Sequence, residues 1–194
     1  MTTSTDPTHA GATEAGFQLR HATPDDAGAI LAYLRQMGGE TAFVTFGPEG
    51  LPHGERTEAN YIASVAQRDN AIFLLAVDGE RIIGALTFAG GDRPRLRHMG
   101  EFGVSVLREW WGRGVATALI QEMLVWARKS GVVRKINLKV RADHERGIAL
   151  YERLGWVHEG RTTRDLWIDG QFHDGLYMGQ EIDPAGGETG TGGD

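Results

Sequence analysis

The chain has 194 residues and a formal net charge of −6, and 41% of its residues are hydrophobic. This composition is typical of a globular protein with one core, and the acidic balance predicts no general affinity for nucleic acid. The absence of cysteine excludes disulfides, a thiolate nucleophile and cysteine-ligated metals. No apolar run approaches the ~20 residues that span a bilayer and no signal-peptide pattern is present, so we expect no membrane partner and a cytoplasmic location.

Both ends of the sequence differ in composition from the middle. Residues 1–15 are rich in Thr, Ala and Gly without periodicity, and residues 184–194 are polar and rich in glycine. Segments of this kind bury too little apolar surface to offset the entropy of ordering. We therefore expect two disordered tails and one folded domain over residues 16–183.

The first half of the domain predicts a strand, two helices and a hairpin. A Thr-Pro-Asp-Asp sequence at residues 23–26 is typical of a helix start, and Gly38-Gly39 is expected to end that helix. Residues 40–56 contain two prolines and three glycines and predict a structured loop. Asp78-Gly79 is a typical hairpin turn. The expected elements are a strand over Phe17–His21, a helix to Met37, a helix over Glu58–Arg68, and paired strands over Ala71–Val77 and Glu80–Phe88.

Residues 101–128 combine a strand, a glycine-containing turn and an amphipathic helix. Residues 101–106 alternate between apolar and polar with the period of a half-buried strand, and apolar residues recur at helical spacing from Leu119 onwards. Between them lies Trp111-Gly112-Arg113-Gly114-Val115-Ala116. The first N–H groups of a helix are unpaired and carry partial positive charge, and glycine lets an anion approach the backbone closely. The pattern therefore predicts a phosphate-binding turn.

The second half of the domain predicts a mixed sheet. Residues 135–140 alternate like a strand, and the order strand, helix, strand implies a parallel crossover. A shorter helix is expected to start at Asp143 or His144 and to end at Gly155, and Asp169-Gly170 predicts a second hairpin. We therefore expect an α/β fold with hairpins on both sides of one parallel strand pair.

Two segments resemble the motifs of the GCN5-related N-acetyltransferase (GNAT) superfamily. The central motif, [Gln/Arg]-x-x-Gly-x-[Gly/Ala], falls on residues 111–116, where Trp111 replaces Gln or Arg. The second, Asn-x-x-Ala-x-x-Leu-Tyr-x-x-x-Gly-Phe, falls on residues 144–156, where His144 and Gly147 replace Asn and Ala. The resemblance covers residues 17–182 and is nearest to bacterial amino-acid, polyamine and ribosomal-protein acetyltransferases. It implies a mixed, mostly antiparallel sheet with a splayed parallel strand pair and flanking helices.

The resemblance further implies an acetyl-CoA-dependent N-acetyltransferase. Acetyl-CoA is the expected co-substrate and no metal is expected, since the seven histidines show no metal-ligand spacing. The coenzyme's diphosphate would lie on the turn amides, where Arg108 or Arg113 would supply the side chain that Trp111 lacks. Its pantetheine would pair with the strand backbone, where an amide could also stabilise an oxyanion. The residues expected to bind the coenzyme are Val104, Val106, Trp111, Gly112, Arg113, Gly114, Val115, Ala116, Thr117, His144, Gly147 and Tyr151.

Two residues are the candidates for proton transfer. Tyr151 matches the family position whose phenol faces the coenzyme sulfur, and a phenol with a pKa near ~10 can act as general acid toward a thiolate. Glu101, which starts the predicted central strand, is the candidate general base, and His98 is a weaker alternative. From the residues alone, a Tyr at helical spacing with Ile148 and Leu154 is usually a core residue, and it is the second motif that favours a role facing the coenzyme. Glu101 is equally compatible with a solvated carboxylate at a strand end.

The expected acceptor is a primary amine of an amino acid, a polyamine or a protein N-terminus. Glu40, Phe43 and Asp174 are expected to shape its site. Because no cysteine can carry an acetyl group, we expect direct transfer in a ternary complex. Two alternatives stay open: an acyl-CoA-binding sensor without catalysis, and a structural oligomerisation domain that binds no coenzyme. The resemblance also implies a homodimer, for which the candidate contacts are Trp156, Trp167 and Phe172.

Overall fold

The computed structural model of the protein describes residues 16–183, so the two predicted tails lie outside the described residues. Seven strands and four α-helices form within that range. The strands are β1 (Gln18–His21), β2 (Ala71–Asp78), β3 (Arg81–Gly90), β4 (Met99–Val106), β5 (Lys135–Arg141), β6 (Val157–Ile168) and β7 (Gln171–Glu181). The helices are α1 (Ala27–Glu40), α2 (Glu55–Ala66), α3 (Val115–Ser130) and α4 (Glu145–Arg153). No helix within residues 16–183 is both long and apolar enough to cross a membrane.

The strands form one sheet in the order β1-β2-β3-β4-β5-β7-β6. β1 runs antiparallel to β2, and β7 runs antiparallel to both β5 and β6. β4 and β5 are parallel, but their pairing joins only residues 99–101 to residues 135–137, although both strands continue further. The fold class predicted from the sequence, a mostly antiparallel sheet with a splayed parallel pair, is therefore confirmed.

The chain divides into two compact units. Within the described residues, the first contains residues 16–66, Phe73–Thr87 and Val104–Leu119. Within it, a Cβ at Gly84 on β3 would lie 3.0 Å from Val115 Cγ1 and 3.3 Å from Leu119 Cδ1. The missing side chain therefore allows the start of α3 to pack closely against β3.

The second unit contains Gln67–Ile72, Phe88–Gly103 and residues 120–183 of the described range. Trp156 lies at the centre of its core, 2% exposed, with its indole N–H donating to the carbonyl of Ile136 at 3.2 Å. Its ring centroid lies 5.3 Å from that of Phe102 and 6.3 Å from that of Tyr151. Because Trp156 is a core residue, its prediction as a dimer contact is wrong.

The helix boundaries in the first unit differ from those predicted. α1 continues through Gly38-Gly39 to Glu40 instead of ending at Met37. A Cβ at Gly38 would overlap the carbonyl of Gly47, so this glycine serves the close approach of the following loop and does not stop the helix. α2 runs over Glu55–Ala66 instead of Glu58–Arg68, because the carbonyl of Gly54 already accepts the N–H groups of Thr57 and Glu58.

The predicted capping residues begin a short 3-10 helix, Pro24–Asp26, which leads directly into α1. The Asp26 carboxylate accepts hydrogen bonds from the N–H and the hydroxyl of Thr23, at 2.7 and 2.9 Å, and lies 2.6 Å from the guanidinium of Arg20. The hydrogen bond from Arg20 is the main reason that the pKa of Asp26 falls to about 2. This carboxylate therefore stays ionised well below neutral pH.

Candidate functional site

The turn between β4 and α3 has the backbone geometry of an anion site. Gly112 and Gly114 adopt left-handed φ angles of 81° and 82°, which residues with a side chain rarely adopt. The N–H of Ala118 donates to the carbonyl of Gly114 at 2.9 Å. The N–H groups of residues 115–117 precede this first bond of the helix, so they have no helical acceptor.

Space and positive charge accompany these unpaired groups. A Cβ at Gly114 would have no heavy atom within 4 Å, so the turn is open on that side. The Arg113 guanidinium lies 4.9 Å from the centroid of the Trp110 ring and forms no ion pair within residues 16–183. Unpaired amides, a helix N-terminus and an uncommitted guanidinium are the chemistry that a diphosphate requires, so this turn fits the phosphates of a coenzyme.

Trp111 and Arg108 lie against the protein. The Trp111 indole N–H donates to the carbonyl of Val106 at 2.6 Å, so the side chain folds back onto β4. The guanidinium of Arg108 lies 5.8 Å from the Trp111 ring centroid and donates to the carbonyl of Glu40. Arg108 therefore already uses its guanidinium within the protein. Within the described residues, that of Arg113 makes no ion pair or hydrogen bond, so Arg113 is the arginine available to replace the Gln or Arg of the motif.

The end of α1 is tied to this turn within the same unit. The Glu40 carboxylate accepts the N–H of Arg108 at 2.7 Å and the side-chain amide of Gln36 at 2.8 Å. Phe43, in the loop after α1, is 39% exposed, and Val104 on β4 is half-buried. Glu40 therefore joins the loop that follows α1 to the segment that carries the turn.

Tyr151 lies in the second unit, where aromatic side chains pack against its ring and its hydroxyl makes no hydrogen bond within the described residues. Its centroid is 5.9 Å from that of Phe102 in an edge-to-face arrangement, and Trp156 packs against another side. The phenol has no hydrogen-bond partner within residues 16–183. Burial raises the pKa of Tyr151 to about 12. The phenol is therefore protonated at neutral pH and its O–H is free to donate.

Glu101 lies where β4 and β5 separate, since its pairing with Asn137 is the last between the two strands. The carboxylate is exposed and has no hydrogen bond or ion pair within residues 16–183. Consecutive strand residues point to opposite faces, so Glu101 and Phe102 do so. Because Tyr151 packs against Phe102, Glu101 and Tyr151 lie on opposite sides of the strand. His98 is an exposed residue whose carbonyl accepts the N–H groups that start β5.

The two departures from the second motif are in contact with one another. His144 precedes α4, and its half-buried ring occupies the space beside Gly147. A Cβ at Gly147 would lie 2.8 Å from Cδ2 and 3.0 Å from Nε2 of His144. Burial, followed by the charge of Arg141, lowers the pKa of His144. The imidazole thus takes the space that an alanine side chain would fill.

Asp174 is engaged within the β6–β7 hairpin. Its carboxylate accepts two hydrogen bonds from the guanidinium of Arg161, at 2.7 and 2.9 Å, and one from the N–H of Arg164 at 3.0 Å. The hydrogen bond from Arg161 is the main cause of the lowered pKa of Asp174. This residue therefore shapes the hairpin on which it lies.

Sequence reasoning missed the polar residues of β5. Lys135 Nζ lies 2.5 Å from Glu159, and Lys139 Nζ lies 3.1 Å from Asp165. The alternation of residues 135–140 carries the signal, because the positions between the apolar residues of a strand share one face and here include Lys135, Asn137 and Lys139. No group of three or more His, Asp or Glu side chains within residues 16–183 could hold a metal ion.

Comparisons with known proteins, by sequence and by structure, both match this chain to acetyltransferases. The sequence profile of the acetyltransferase (GNAT) family matches residues 40–156. The L-amino acid N-acetyltransferase AaaT of Escherichia coli is 34% identical over 102 residues, which are 53% of this chain and 62% of that protein. The chain therefore spans less than two thirds of the length of this relative.

Solved structures match over more of the chain. The acetyltransferase of the GNAT family from Streptococcus pneumoniae superposes with a TM-score of 0.83 at 30% identity, over 86% of this chain and 99% of that one. A putative acetyltransferase, yncA, from Salmonella typhimurium was solved with its cofactor acetyl-CoA. It matches 89% of this chain and 97% of its own with a TM-score of 0.72, and its 18% identity shows the fold alone.

Proposed function

The chain belongs to the acetyltransferase (GNAT) family, and we propose that it transfers an acetyl group from acetyl-CoA to a primary amine. Membership confirms the family predicted from residues 111–116 and 144–156. The acceptor would be an amino acid, a polyamine or a protein N-terminus, and the reaction would take place in the cytoplasm, where acetyl-CoA is available. The observation that carries the proposal is the unbound, protonated phenol of Tyr151 within the family's second motif.

The coenzyme would supply an activated acetyl thioester. The N–H groups of Gly112 and of residues 114–117 would bind its diphosphate, whereas that of Arg113, expected from the sequence to take part, already donates to the carbonyl of Trp110 at 3.4 Å. The Arg113 guanidinium would add charge-assisted hydrogen bonds. The backbone of Val104 and Val106 would align the pantetheine, with the N–H groups as the available donors because the Val106 carbonyl already accepts from Trp111. His144 and Gly147 would contact the same arm of the coenzyme.

Transfer would need two proton movements. Glu101 would accept a proton, directly or through water, either from the acceptor's ammonium before the neutral amine attacks or from the amine nitrogen as the new N–C bond forms. Tyr151 would donate its proton to the sulfur as the C–S bond breaks. Their positions on opposite faces of β4 support this division, because the amine enters and the thiolate leaves on different sides of the carbonyl carbon. Glu40, Phe43 and Asp174 would border the acceptor.

Thiol release from acetyl-CoA against a panel of amines tests this function. We expect Tyr151→Phe to lower kcat by about 10²- to 10⁴-fold, the usual contribution of a general acid, while calorimetric affinity for CoA stays the same. Tyr61→Phe, at an exposed position of α2, is the control and should behave like the wild type. CoA binding without turnover on any amine, with no effect of Tyr151→Phe, would instead support a sensor.

The anion site has its own matched pair of variants. Gly114 and Gly79 both have positive φ angles, 82° and 58°, and at both a Cβ would meet no heavy atom within 4 Å. Alanine should therefore cost each a similar strain of about 1–2 kcal/mol. Only Gly114→Ala should weaken CoA binding. If calorimetry detected no binding of CoA to the wild type, the alternative of a structural domain that binds no coenzyme would be supported instead.

A homodimer through the β6–β7 hairpin is the remaining part of the proposal. Trp167 and Phe172 are 62% and 53% exposed, and their ring centroids lie 4.4 Å apart at the end of that hairpin. Paired exposed aromatic rings of this kind are enriched in protein interfaces. Light scattering on the purified protein would give the oligomeric state.

A further inference from the structure

One face of the β4–β5 fork carries a set of polar residues, which we call the fork face: Glu101 and Gly103 on β4, Asn137 and Lys139 on β5, and Tyr177 on β7. Glu101 pairs with Asn137, and Lys139 pairs with Tyr177. Paired residues on neighbouring strands point to the same side, and Gly103 follows Glu101 by two positions, so all five share one face. All belong to a single compact unit.

The fork face presents one negative and one positive group. The Glu101 carboxylate has no partner within residues 16–183. Lys139 uses one of its three ammonium donors on Asp165 at 3.1 Å, and its side chain is 30% exposed against 9% for Asp165. The hydrogen bond to Asp165 is the main cause of the raised pKa of Lys139, and the charge of Glu101 also contributes. The unpaired Glu101 carboxylate is therefore within electrostatic reach of the Lys139 ammonium, which is already paired with Asp165.

The same face has an open space beside Glu101 and an unused acceptor. Gly103 is exposed, and a Cβ there would have no heavy atom within 4 Å. The Oδ1 atom of Asn137 is buried without a hydrogen-bond partner within the described residues. Because that atom is shielded from solvent, a bound molecule cannot contact it, and the open space belongs to Glu101 and Gly103 alone.

From this arrangement we propose that the fork face selects an acceptor carrying both an amine and a carboxylate, as an α-amino acid does. The amine would meet Glu101 over Gly103, and the carboxylate would meet the two ammonium donors of Lys139 that Asp165 does not use. A polyamine would instead bring a second cation to Lys139, and a protein N-terminus would bring a neutral amide. The inference rests on the proposed function and narrows its substrate class.

The test compares acceptors that differ only in the carboxylate. Initial rates of thiol release would be measured with a panel of free L-amino acids, their α-amides, spermidine and a peptide with N-terminal alanine. A hydrogen bond to a charged group predicts that kcat/KM for the best free acid exceeds that of its amide by about 10- to 100-fold. Spermidine and the peptide should be poorer still.

Three variants locate the discrimination. Lys139→Met should bring the ratio of acid to amide close to one. Lys135→Met is the matched control, since Lys135 lies on the same face of β5 with its own carboxylate partner, Glu159, but pairs with Met99 away from the fork. Lys139→Met by itself would leave the buried carboxylate of Asp165 without its cation. The single variant Asp165→Asn and the double variant Asp165→Asn/Lys139→Met are therefore measured as well. Asp165→Asn should keep the preference for acids and the double variant should lose it.

Gly103→Ala probes the open space without disturbing the fold, because no atom lies within 4 Å of the added methyl group. Its thermal midpoint should be unchanged, and kcat/KM for the acid should fall about tenfold or more, since a misplaced substrate loses much of the rate. Equal kcat/KM values of the wild type for acid, amide and spermidine would overturn the proposed acceptor class and leave the proposed acetyltransferase function intact. Equal effects of Lys135→Met and Lys139→Met on the ratio of acid to amide would do the same. A wild type that acetylates no amine would overturn the proposed function as well.

Discussion

Replacing Gly147 with alanine tests whether His144 and Gly147 compensate for one another. In the wild type the new methyl group would lie 2.8 Å from Cδ2 of His144, closer than real side chains approach, so the ring or the helix must shift. Overpacking of this kind costs about 1–3 kcal/mol, whereas alanine in a helix is favoured over glycine by about 1 kcal/mol. Gly147→Ala should therefore lower the free energy of unfolding by about 0–2 kcal/mol.

The same change should have the opposite sign when the ring is absent. His144→Asn removes part of a half-buried side chain and should cost about 1 kcal/mol by itself, because it leaves space unfilled. In that background Gly147→Ala fills the space and gains the helix preference, so the free energy of unfolding should rise by about 1 kcal/mol. The coupling energy between the two positions is then about 1–3 kcal/mol.

Urea unfolding of the four proteins at pH 7.5 measures this cycle, at a pH where the lowered pKa of His144 keeps the ring neutral. For a chain of this size, each kcal/mol corresponds to roughly 2–4 °C in Tm, which gives an independent check. Gly39→Ala in α1 is the control, because its Cβ would lie 3.9 Å from the nearest atom, of Pro48. If Gly147→Ala stabilised the wild type as Gly39→Ala does, without coupling, the reasoning would be refuted.

Three further predictions concern a capping carboxylate and two tryptophans. The pKa of Asp26 is lowered to about 2, so its contribution to stability is complete above the unfolded pKa near 4 and is lost as the pH falls toward 2. In urea titrations Asp26→Asn should therefore lower the free energy of unfolding by about 2 kcal/mol at pH 7 and by little at pH 2. The control Asp25→Asn should leave the free energy of unfolding unchanged at both pH values. Trp111→Phe removes the hydrogen bond to Val106 and should cost about 1 kcal/mol of stability and raise the KM for acetyl-CoA, whereas Trp167→Phe should change neither. If the β6–β7 hairpin forms a homodimer, Trp167→Ser should shift the protein toward the monomer in light scattering, and unchanged mass would contradict it.

The elements that the sequence predicted correctly are those set by local chemistry. Asp78-Gly79 and Asp169-Gly170 both form the predicted hairpin turns, with left-handed φ angles at Gly79 and at both residues of the second pair. Gly112 and Gly114 likewise have the φ angles that a turn before a helix requires. In each case the conformational preference of one or two residues determines the backbone, so a single sequence is sufficient.

The features that the sequence could not give depend on residues far apart in the chain. Gly38 was expected to end α1, but it is glycine because the backbone at Gly47 approaches it. Lys139 pairs with Asp165 over Gly175 of the strand between them, where a Cβ would lie 2.6 Å from Asp165 Oδ2. Such contacts depend on sheet order and register, which local patterns do not specify.

The separation of β4 from β5 at Glu101 has a chemical consequence of its own. Acetyl transfer without a covalent enzyme intermediate needs a proton acceptor where the amine enters and a proton donor where the sulfur leaves. In the proposed function Glu101 and Tyr151 would supply these two groups, since Glu101 points to one face of the strand and Phe102, against which Tyr151 packs, points to the other. Continued pairing beyond Glu101 would cover the strand edge between those faces. The short parallel pairing is therefore the feature of the fold on which the proposed chemistry depends.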